Sequence, residues 1–180
     1  VVSLGGGSVC DAVKAARLCL AHGSQTVADM DRLRSHDQPG IYLPLEPPSL
    51  PFIAVPTTLS AGEYTSFAGV TDERGPIKEM YRRPGMAPNV VVLDPALTLG
   101  TPSRLWLETG IRALDHAIET WCSPDATVMS DAASSQAGQL LLDALRKPDC
   151  LEARLRCQQG AWLSVYGTAA NVNLGASHGI

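Results

Sequence analysis

The chain opens with Val1-Val2-Ser3-Leu4-Gly5-Gly6-Gly7-Ser8-Val9-Cys10-Asp11-Ala12-Val13-Lys14, a short apolar run followed by three glycines and a helical pattern. Glycines between a strand and a helix let the backbone approach an anion closely, because no Cβ blocks the way. The helix that follows directs free N–H groups and the positive end of its dipole at that turn. The stretch therefore predicts a phosphate or pyrophosphate site, with the Ser8 hydroxyl as an extra donor. The spacing matches neither the dinucleotide fingerprint G-x-G-x-x-G nor a P-loop, so a tight turn without a ligand is the alternative.

Net charge, hydropathy and cysteine spacing argue against several classes of protein. The 180 residues carry a formal net charge of −4, which argues against nucleic acid or an anionic membrane as a partner. No apolar run is long enough to span a bilayer. The five cysteines are scattered without a C-x-x-C pair, so neither a disulfide framework nor a zinc knuckle is indicated. A reducing, cytoplasmic compartment is therefore predicted.

The pattern of residues changes near Pro102. Before it, predicted strands alternate with helices, and after it glycine and proline thin out and the pattern is helical. The predicted fold class is therefore α/β followed by all-α, divided into residues 1–102 and 103–180. Strands are expected at 51–58 and 90–93, a hairpin at 67–72 and 77–80, and helices at 11–22, 26–33, 104–121, 128–145 and 151–173.

Several large side chains away from the glycine turn are assigned structural roles. The aromatic residues of the predicted helices are expected to pack in the core: Trp106, Trp121, Trp162 and Tyr166. Arg82 and Arg83 are expected to form a solvated pair on the surface.

Two adjacent hydroxyls follow the second predicted strand. Thr57 and Thr58 lie at the expected carboxyl end of a parallel strand, where open α/β sheets bind ligands. The alternative is a purely structural role, because threonine is common in strands for reasons of propensity alone.

Five segments, taken in order, resemble the iron-containing alcohol dehydrogenase superfamily, which includes the maleylacetate reductases. They are residues 1–14, 51–58, 89–95, 110–119 and 175–180. The resemblance implies a Rossmann-like nucleotide-binding α/β portion joined to the start of a helical catalytic domain, in a dehydroquinate synthase-like fold truncated at both ends. It also implies NAD or NADP as the cofactor and a homodimer as the assembly.

The resemblance assigns contacts with the cofactor to three segments: Gly6, Gly7, Ser8, Asp11, Thr57, Thr58 and Lys78. For Asp11 the alternative is a favourable interaction with the dipole of its own helix. For Lys78, on the predicted hairpin, the alternative is a solvated surface lysine.

The resemblance also raises the question of whether this chain binds a divalent metal as well as the nicotinamide cofactor. The metal-dependent members bind it through two later histidines and an Asp-x-x-x-His pair on one helix, a spacing that places both ligands on one face. The matching pair here is Arg112 and His116, and an arginine side chain has no free lone pair for a cation. Asp115 lies about 100° around the helix from His116 and is a poor substitute. His178 matches the third ligand, but with the aspartate missing we expect no bound metal.

The metal-free maleylacetate reductases offer a precedent for this departure, and their turn after Pro-Thr-Thr has the same length as the turn here. Arg112 would then bind an anionic or carbonyl oxygen of the substrate. His116 and His178 would be candidates for proton donation. The structural alternatives are an ion pair of Arg112 with Glu108 or Glu119, and a hydrogen-bonded core position for His116.

The sequence thus predicts an NAD(P)H-dependent oxidoreductase that reduces a carbonyl or an activated alkene of a small carboxylate substrate, as in the maleylacetate reductases. The alternative is an iron- or zinc-dependent alcohol dehydrogenase in which His116 and His178 bind the metal. A lyase of the dehydroquinate synthase type fits Thr57-Thr58-Leu59 but fits less well at 110–119. A further alternative is that these residues alone have no catalytic activity.

Overall fold

The fold consists of an α/β half followed by a helical half, which confirms the predicted fold class. The computed structural model describes residues 1–35, 46–75 and 77–175. The strands are β1 (Val2–Gly5), β2 (Ile53–Pro56), β3 (Phe67–Asp72), β4 (Ile77–Arg82) and β5 (Val90–Val91). The helices are α1 (Gly7–His22), α2 (Val27–Asp31), α3 (Ser103–Cys122), α4 (Val128–Ala144), α5 (Leu151–Ser164) and α6 (Tyr166–Ala169). Two short 3₁₀ turns span Gly62–Tyr64 and Pro95–Thr98.

Three short parallel strands form the sheet of the α/β half, in the order β1-β2-β5. Val2 pairs with Ile53, and Ile53 pairs with Val90, so branched side chains that suit a pleated surface meet across the sheet. Because the strands are parallel, their carboxyl ends meet at one edge. That edge carries both the glycine turn after β1 and the hydroxyl-bearing turn after β2.

Helix α1 begins within the glycine run, four residues before the predicted start at Asp11. Gly6 is its N-cap, so the N–H groups of its first turn, which have no partner within the helix, lie at the carboxyl edge of the sheet. The helix ends as predicted at Gly23, whose φ of 63° is the left-handed conformation that ends many helices. The shorter α2 begins with a capping box between Thr26 and Asp29.

The hairpin β3–β4 forms a separate antiparallel sheet, as predicted. It packs against α1 through a core that includes Leu18, Ala68 and Met86. The hairpin is thereby held to the helix that carries the glycine turn.

The helical half packs around Trp106 and Leu141, which are fully buried. Leu59, from the turn after β2, is buried in the same core. In addition, Gln158 Nε2 of α5 donates to the carbonyl oxygen of Pro56 at 3.2 Å. The helical half therefore holds the turn after β2 in place. Within the described ranges, no helix combines the length and the apolar character needed to cross a membrane.

The prediction of one helix over 151–173 is wrong beyond Ser164. The backbone leaves helical geometry at Val165, with φ −100° and ψ 7°, and then forms the single turn α6. It turns again at Asn171, whose φ is 61°, a left-handed conformation that asparagine tolerates better than most residues. Apolar residues continue through this break, so their spacing does not reveal it.

Two expectations about large side chains are also wrong. Arg83 is only 1% exposed, and its guanidinium donates to the carbonyl oxygen of Leu33 at 3.2 Å, since a buried charge requires a hydrogen-bond partner. Trp106 is buried as expected, but Trp121 and Trp162 are more than half exposed and Tyr166 is 41% exposed.

Close packing of α4 against α5 depends on a glycine, which gives a first prediction. A Cβ at Gly160 would lie 2.8 Å from Leu141 Cγ, whereas a Cβ at Gly138, within α4, would have nothing within 4 Å. Overpacking should make Gly160→Ala less stable by about 1–3 kcal/mol. The matched Gly138→Ala should be more stable by about 0.5–1 kcal/mol, because alanine favours helix over glycine. Denaturant midpoints measure both changes, and equal midpoints for the two variants would contradict the packing described.

Candidate active site

A cleft of about 890 Å³ opens at the carboxyl edge of the sheet, between the α/β half and α3. The structure brings nine predicted site residues to its walls: Gly6, Gly7, Ser8, Asp11, Thr57, Thr58, Lys78, Arg112 and His116. The remaining one, His178, lies outside the described residues. Residues far apart in the chain therefore line one cavity.

The glycine turn packs directly on the turn after β2. A Cβ at Gly6 would lie 2.9 Å from Thr58 Cγ2, and a Cβ at Gly7 would lie 2.7 Å from Ser60 Oγ. Any larger residue at these positions would push the two turns apart, so glycine is required for their close approach. The free N–H groups at the start of α1 and the hydroxyls after β2 consequently form one wall, which suits an anion such as a pyrophosphate.

Hydroxyls that the sequence analysis missed complete this wall. Ser60 Oγ lies 3.4 Å from Thr58 Oγ1. Thr101 Oγ1 donates to the carbonyl oxygen of Thr57 at 2.7 Å, and Thr109 Oγ1 accepts a backbone N–H of the same turn at 3.1 Å. These last two contacts join residues 44 and 50 positions apart, so no local pattern marks them.

The side chains of Asp11 and Lys78 both lie against strand β3 of the hairpin, at Gly69. Asp11 Oδ2 accepts a hydrogen bond from the backbone N–H of Gly69 at 3.0 Å, so this carboxylate links α1 to β3 rather than only facing its own helix dipole. Lys78 is exposed on β4, and its side chain extends across β3, because a Cβ at Gly69 would lie 2.1 Å from Lys78 Cε. Lys78 therefore lines the cleft from the hairpin side.

Two buried charged residues that were not predicted lie close to the glycine turn. Lys14 Nζ donates to the carbonyl oxygens of Gly62 and Phe67, the latter at 2.8 Å, and lies 3.6 Å from Asp11 Oδ1. Burial lowers the pKa of Lys14, against the effect of nearby acidic groups. Burial also raises the pKa of Glu63 to about 7, although the Lys14 ammonium opposes this shift. A lysine within a helical pattern indicates a solvent-facing position, which is why Lys14 was missed.

Arg112 and His116 lie one turn apart on α3 and both face the cleft. Arg112 is about half exposed, and its Nη1 lies 3.5 Å from Asp115 Oδ2. Of the two glutamates named as alternative partners of Arg112, Glu108 pairs with Arg104 at 2.6 Å. A long, solvated ion pair contributes little, so the Arg112 guanidinium can turn to an anionic group in the cleft.

Within the part of the chain that the structure describes, the side chains around His116 do not make up a ligand set for a divalent metal. Among residues 1–35, 46–75 and 77–175, no group of three His, Cys, Asp or Glu side chains could hold such an ion. Arg112 occupies the position that the resemblance assigns to the aspartate ligand, and a guanidinium is always charged and offers no lone pair. His178, the other histidine that the resemblance assigns to a ligand, lies outside the described residues, so the expectation that no metal is bound stays a prediction.

Known proteins similar to this chain point to one family. A model of the iron-containing alcohol dehydrogenase family matches residues 1–95. The dehydrogenase FUM7 of Gibberella moniliformis is 39% identical over 199 residues, which cover 100% of this chain and 47% of FUM7. The chain spans about half, or less, of the length of the curated relatives it matches.

Solved structures agree with the family match. A sulfoacetaldehyde reductase from Bifidobacterium kashiwanohense in complex with NAD⁺ is similar with a TM-score of 0.80 and 29% identity, over 99% of this chain and 46% of that one. The maleylacetate reductase from Rhizobium sp. strain MTP-10005 has a TM-score of 0.72 and 28% identity, over 99% of this chain and 43% of that one. The family model that matches more than half of this chain, supported by the similar solved structures, shows that the chain belongs to the iron-containing alcohol dehydrogenase family.

Proposed function

We propose that the protein is an NAD(P)H-dependent oxidoreductase that reduces a carbonyl or an activated alkene of a small substrate bearing an acidic group. The observation that carries this proposal is the position of Arg112 and His116, on the side of the cleft that faces the glycine turn from α3. Two similar proteins are named for substrates with an acidic group, maleylacetate and sulfoacetaldehyde, which supports the choice of substrate class.

The glycine wall would hold the cofactor. Backbone N–H groups at Gly7 and Ser8 would bind its pyrophosphate, with the positive end of the α1 dipole behind them. The exposed ammonium of Lys78 would add a positive charge from the hairpin. When bound, the nicotinamide supplies the hydride, and the protein supplies position and charge. The NAD⁺ complex of the similar sulfoacetaldehyde reductase supports this assignment.

The α3 side would hold the substrate. The planar guanidinium of Arg112 suits a carboxylate, because two parallel hydrogen bonds can form. Bound there, the substrate would have its reducible group near the imidazole of His116. His116 would then donate a proton to the oxygen or carbon that acquires negative charge during reduction. His178, which matches another histidine of the resemblance, remains a second candidate donor.

A metal-dependent alcohol dehydrogenase is the second candidate function. The family name and the alcohol dehydrogenases among the relatives favour it, and His116 stands at a position that the resemblance assigns to a ligand. Arg112 argues against it, for the reason of donor chemistry given above. The matched family and relatives are dehydrogenases and reductases, which also argues against a lyase.

The close approach of the two turns gives a prediction for cofactor binding. Gly7→Ala should weaken NADH binding about 10- to 100-fold, because its Cβ would displace Ser60 and misalign charge-assisted hydrogen bonds worth about 1.5–3 kcal/mol. Gly100→Ala is the matched control, because Gly100 also lines the cleft but its Cβ would have nothing within 4 Å. Fluorescence titration with NADH measures both, and equal affinities would count against a cofactor at the glycine wall.

A further prediction concerns the substrate end of the cleft. Arg112→Met should lower kcat/KM for maleylacetate about 10- to 100-fold, since a charged hydrogen-bond partner is lost, while NADH affinity stays unchanged. Arg104→Met is the control on the same helix, because Arg104 is 89% exposed and does not line the cleft. Steady-state kinetics with maleylacetate and with simple aldehydes measures the effect.

Metal analysis of the same preparations separates the two candidate functions. We expect activity that resists chelation and no stoichiometric iron or zinc. Bound iron or zinc, with activity lost on chelation and restored by the metal, would replace this proposal with the metal-dependent alternative.

A further inference from the structure

We propose that Lys14 is a positioning residue for the cofactor site: its buried ammonium holds the turn after β2 and the start of the hairpin against the glycine turn. The proposal rests on the proposed function, because it concerns the wall to which the cofactor would bind. Lys14 does not line the cleft, so its effect would pass through the backbone that it holds.

The ammonium of Lys14 has three protein acceptors. Its Nζ donates to the carbonyl oxygen of Gly62, to the carbonyl oxygen of Phe67 at 2.8 Å and to Thr65 Oγ1 at 3.2 Å. An ammonium group has three donors, so these contacts use all of them. Gly62 belongs to the 3₁₀ turn and Phe67 begins β3, so one side chain fixes both ends of the segment that joins them.

This segment forms part of the cleft. A Cβ at Gly62 would lie 3.9 Å from the Cα of Gly7, so the 3₁₀ turn rests on the glycine turn itself. The residue before it, Ala61, has a φ of 59°, a left-handed conformation that is unfavourable for a residue with a Cβ. Such a conformation persists where the surrounding structure fixes it. Burial of Ala61 in the helical core and the hydrogen bond from Lys14 to Gly62, the next residue, both contribute to that constraint.

The other end of the segment held by Lys14 is Phe67, the first residue of the hairpin. β3 is held to α1 twice, by Lys14 at Phe67 and by Asp11 at the backbone N–H of Gly69. The side chain of Lys78 extends across the same Gly69 into the cleft. Movement of β3 away from α1 would therefore move Lys78 away from the glycine turn.

A nearby carboxylate and hydrogen-bond acceptors make a buried ammonium tolerable at this position. The Lys14 side chain is 0% exposed, and Asp11 Oδ1 lies 3.6 Å from its Nζ. An unpaired buried charge would be strongly unfavourable, so the Asp11 carboxylate and the three hydrogen-bond acceptors are what allow Lys14 to stay charged at this position.

Arg17 provides a matched control, because replacing it should lower the stability of the fold without affecting the cofactor site. It is the other cationic residue buried on α1, at 2% exposure. Its guanidinium also donates to backbone carbonyl oxygens, those of Leu50 at 2.9 Å and Met86 at 3.1 Å. Those carbonyl groups belong to segments outside the lining of the cleft.

The experiment compares Lys14→Met with Arg17→Met, using NADH titration by fluorescence, steady-state kinetics and denaturant unfolding. Both variants should lose stability. Lys14→Met alone should raise the Kd and the KM for NADH at least tenfold, with a much smaller change in the KM for the substrate. Thr65→Val, which removes one acceptor of the ammonium and the hydrogen bond from Thr65 Oγ1 to the carbonyl oxygen of Gly62 at 2.9 Å, should raise the Kd for NADH severalfold and remains informative if Lys14→Met does not fold.

Each outcome decides a different point. Equal NADH affinity in the two methionine variants, or unchanged affinity in Thr65→Val when Lys14→Met does not fold, would overturn the positioning role and leave the proposed function intact. Failure of the parent protein to bind either NADH or NADPH would overturn the proposed function first, and the positioning role with it.

Discussion

The absence of Cβ atoms at Gly6 and Gly7 is the constraint on which the rest of the site depends. It allows the turns after β1 and β2 to lie in direct contact, with Thr58 and Ser60 against the glycines. Because Leu59 of the same turn is buried among the helices, this contact also sets where α3 lies relative to the sheet. The position of Arg112 across the cleft thus depends on a contact between glycines and small side chains that contains no charged group.

The cationic side chains around the cleft fall into two groups, those that remain solvated and one that is buried. Lys78 and Arg112 stay solvated, so their charges are available to a ligand and would be desolvated only when it binds. Lys14 is fully buried and satisfied by backbone oxygens and neighbouring carboxyl groups. Solvated cations thus face the cavity, while the buried one stiffens the wall behind them.

The sequence correctly predicted the features of the fold that depend on residues close together in the chain. The end of α1 at Gly23 and the hairpin both follow from short stretches of sequence, whereas the start of α1 was predicted four residues too late. The meeting of the glycine turn with Thr57 and Thr58 followed from the rule that parallel strands end at one edge, whereas Lys78, Arg112 and His116 were expected near it from the family resemblance alone. What was missed depends on distant partners: Lys14 and Arg83 are buried because carbonyl groups about 50 residues away accept their hydrogen bonds. The break at Val165 was missed because apolar spacing continues through it.

The buried carboxyl of Glu63 makes folding a proton-coupled reaction. Its pKa is about 7 in the folded protein against an ordinary value of 4.5. Between these two pH values the folded chain therefore binds more protons than the unfolded chain. The stability that this group contributes is greatest below pH 4.5, falls as the pH rises towards 7 and changes little above it. Near neutral pH, each folding event takes up a fraction of a proton from the buffer.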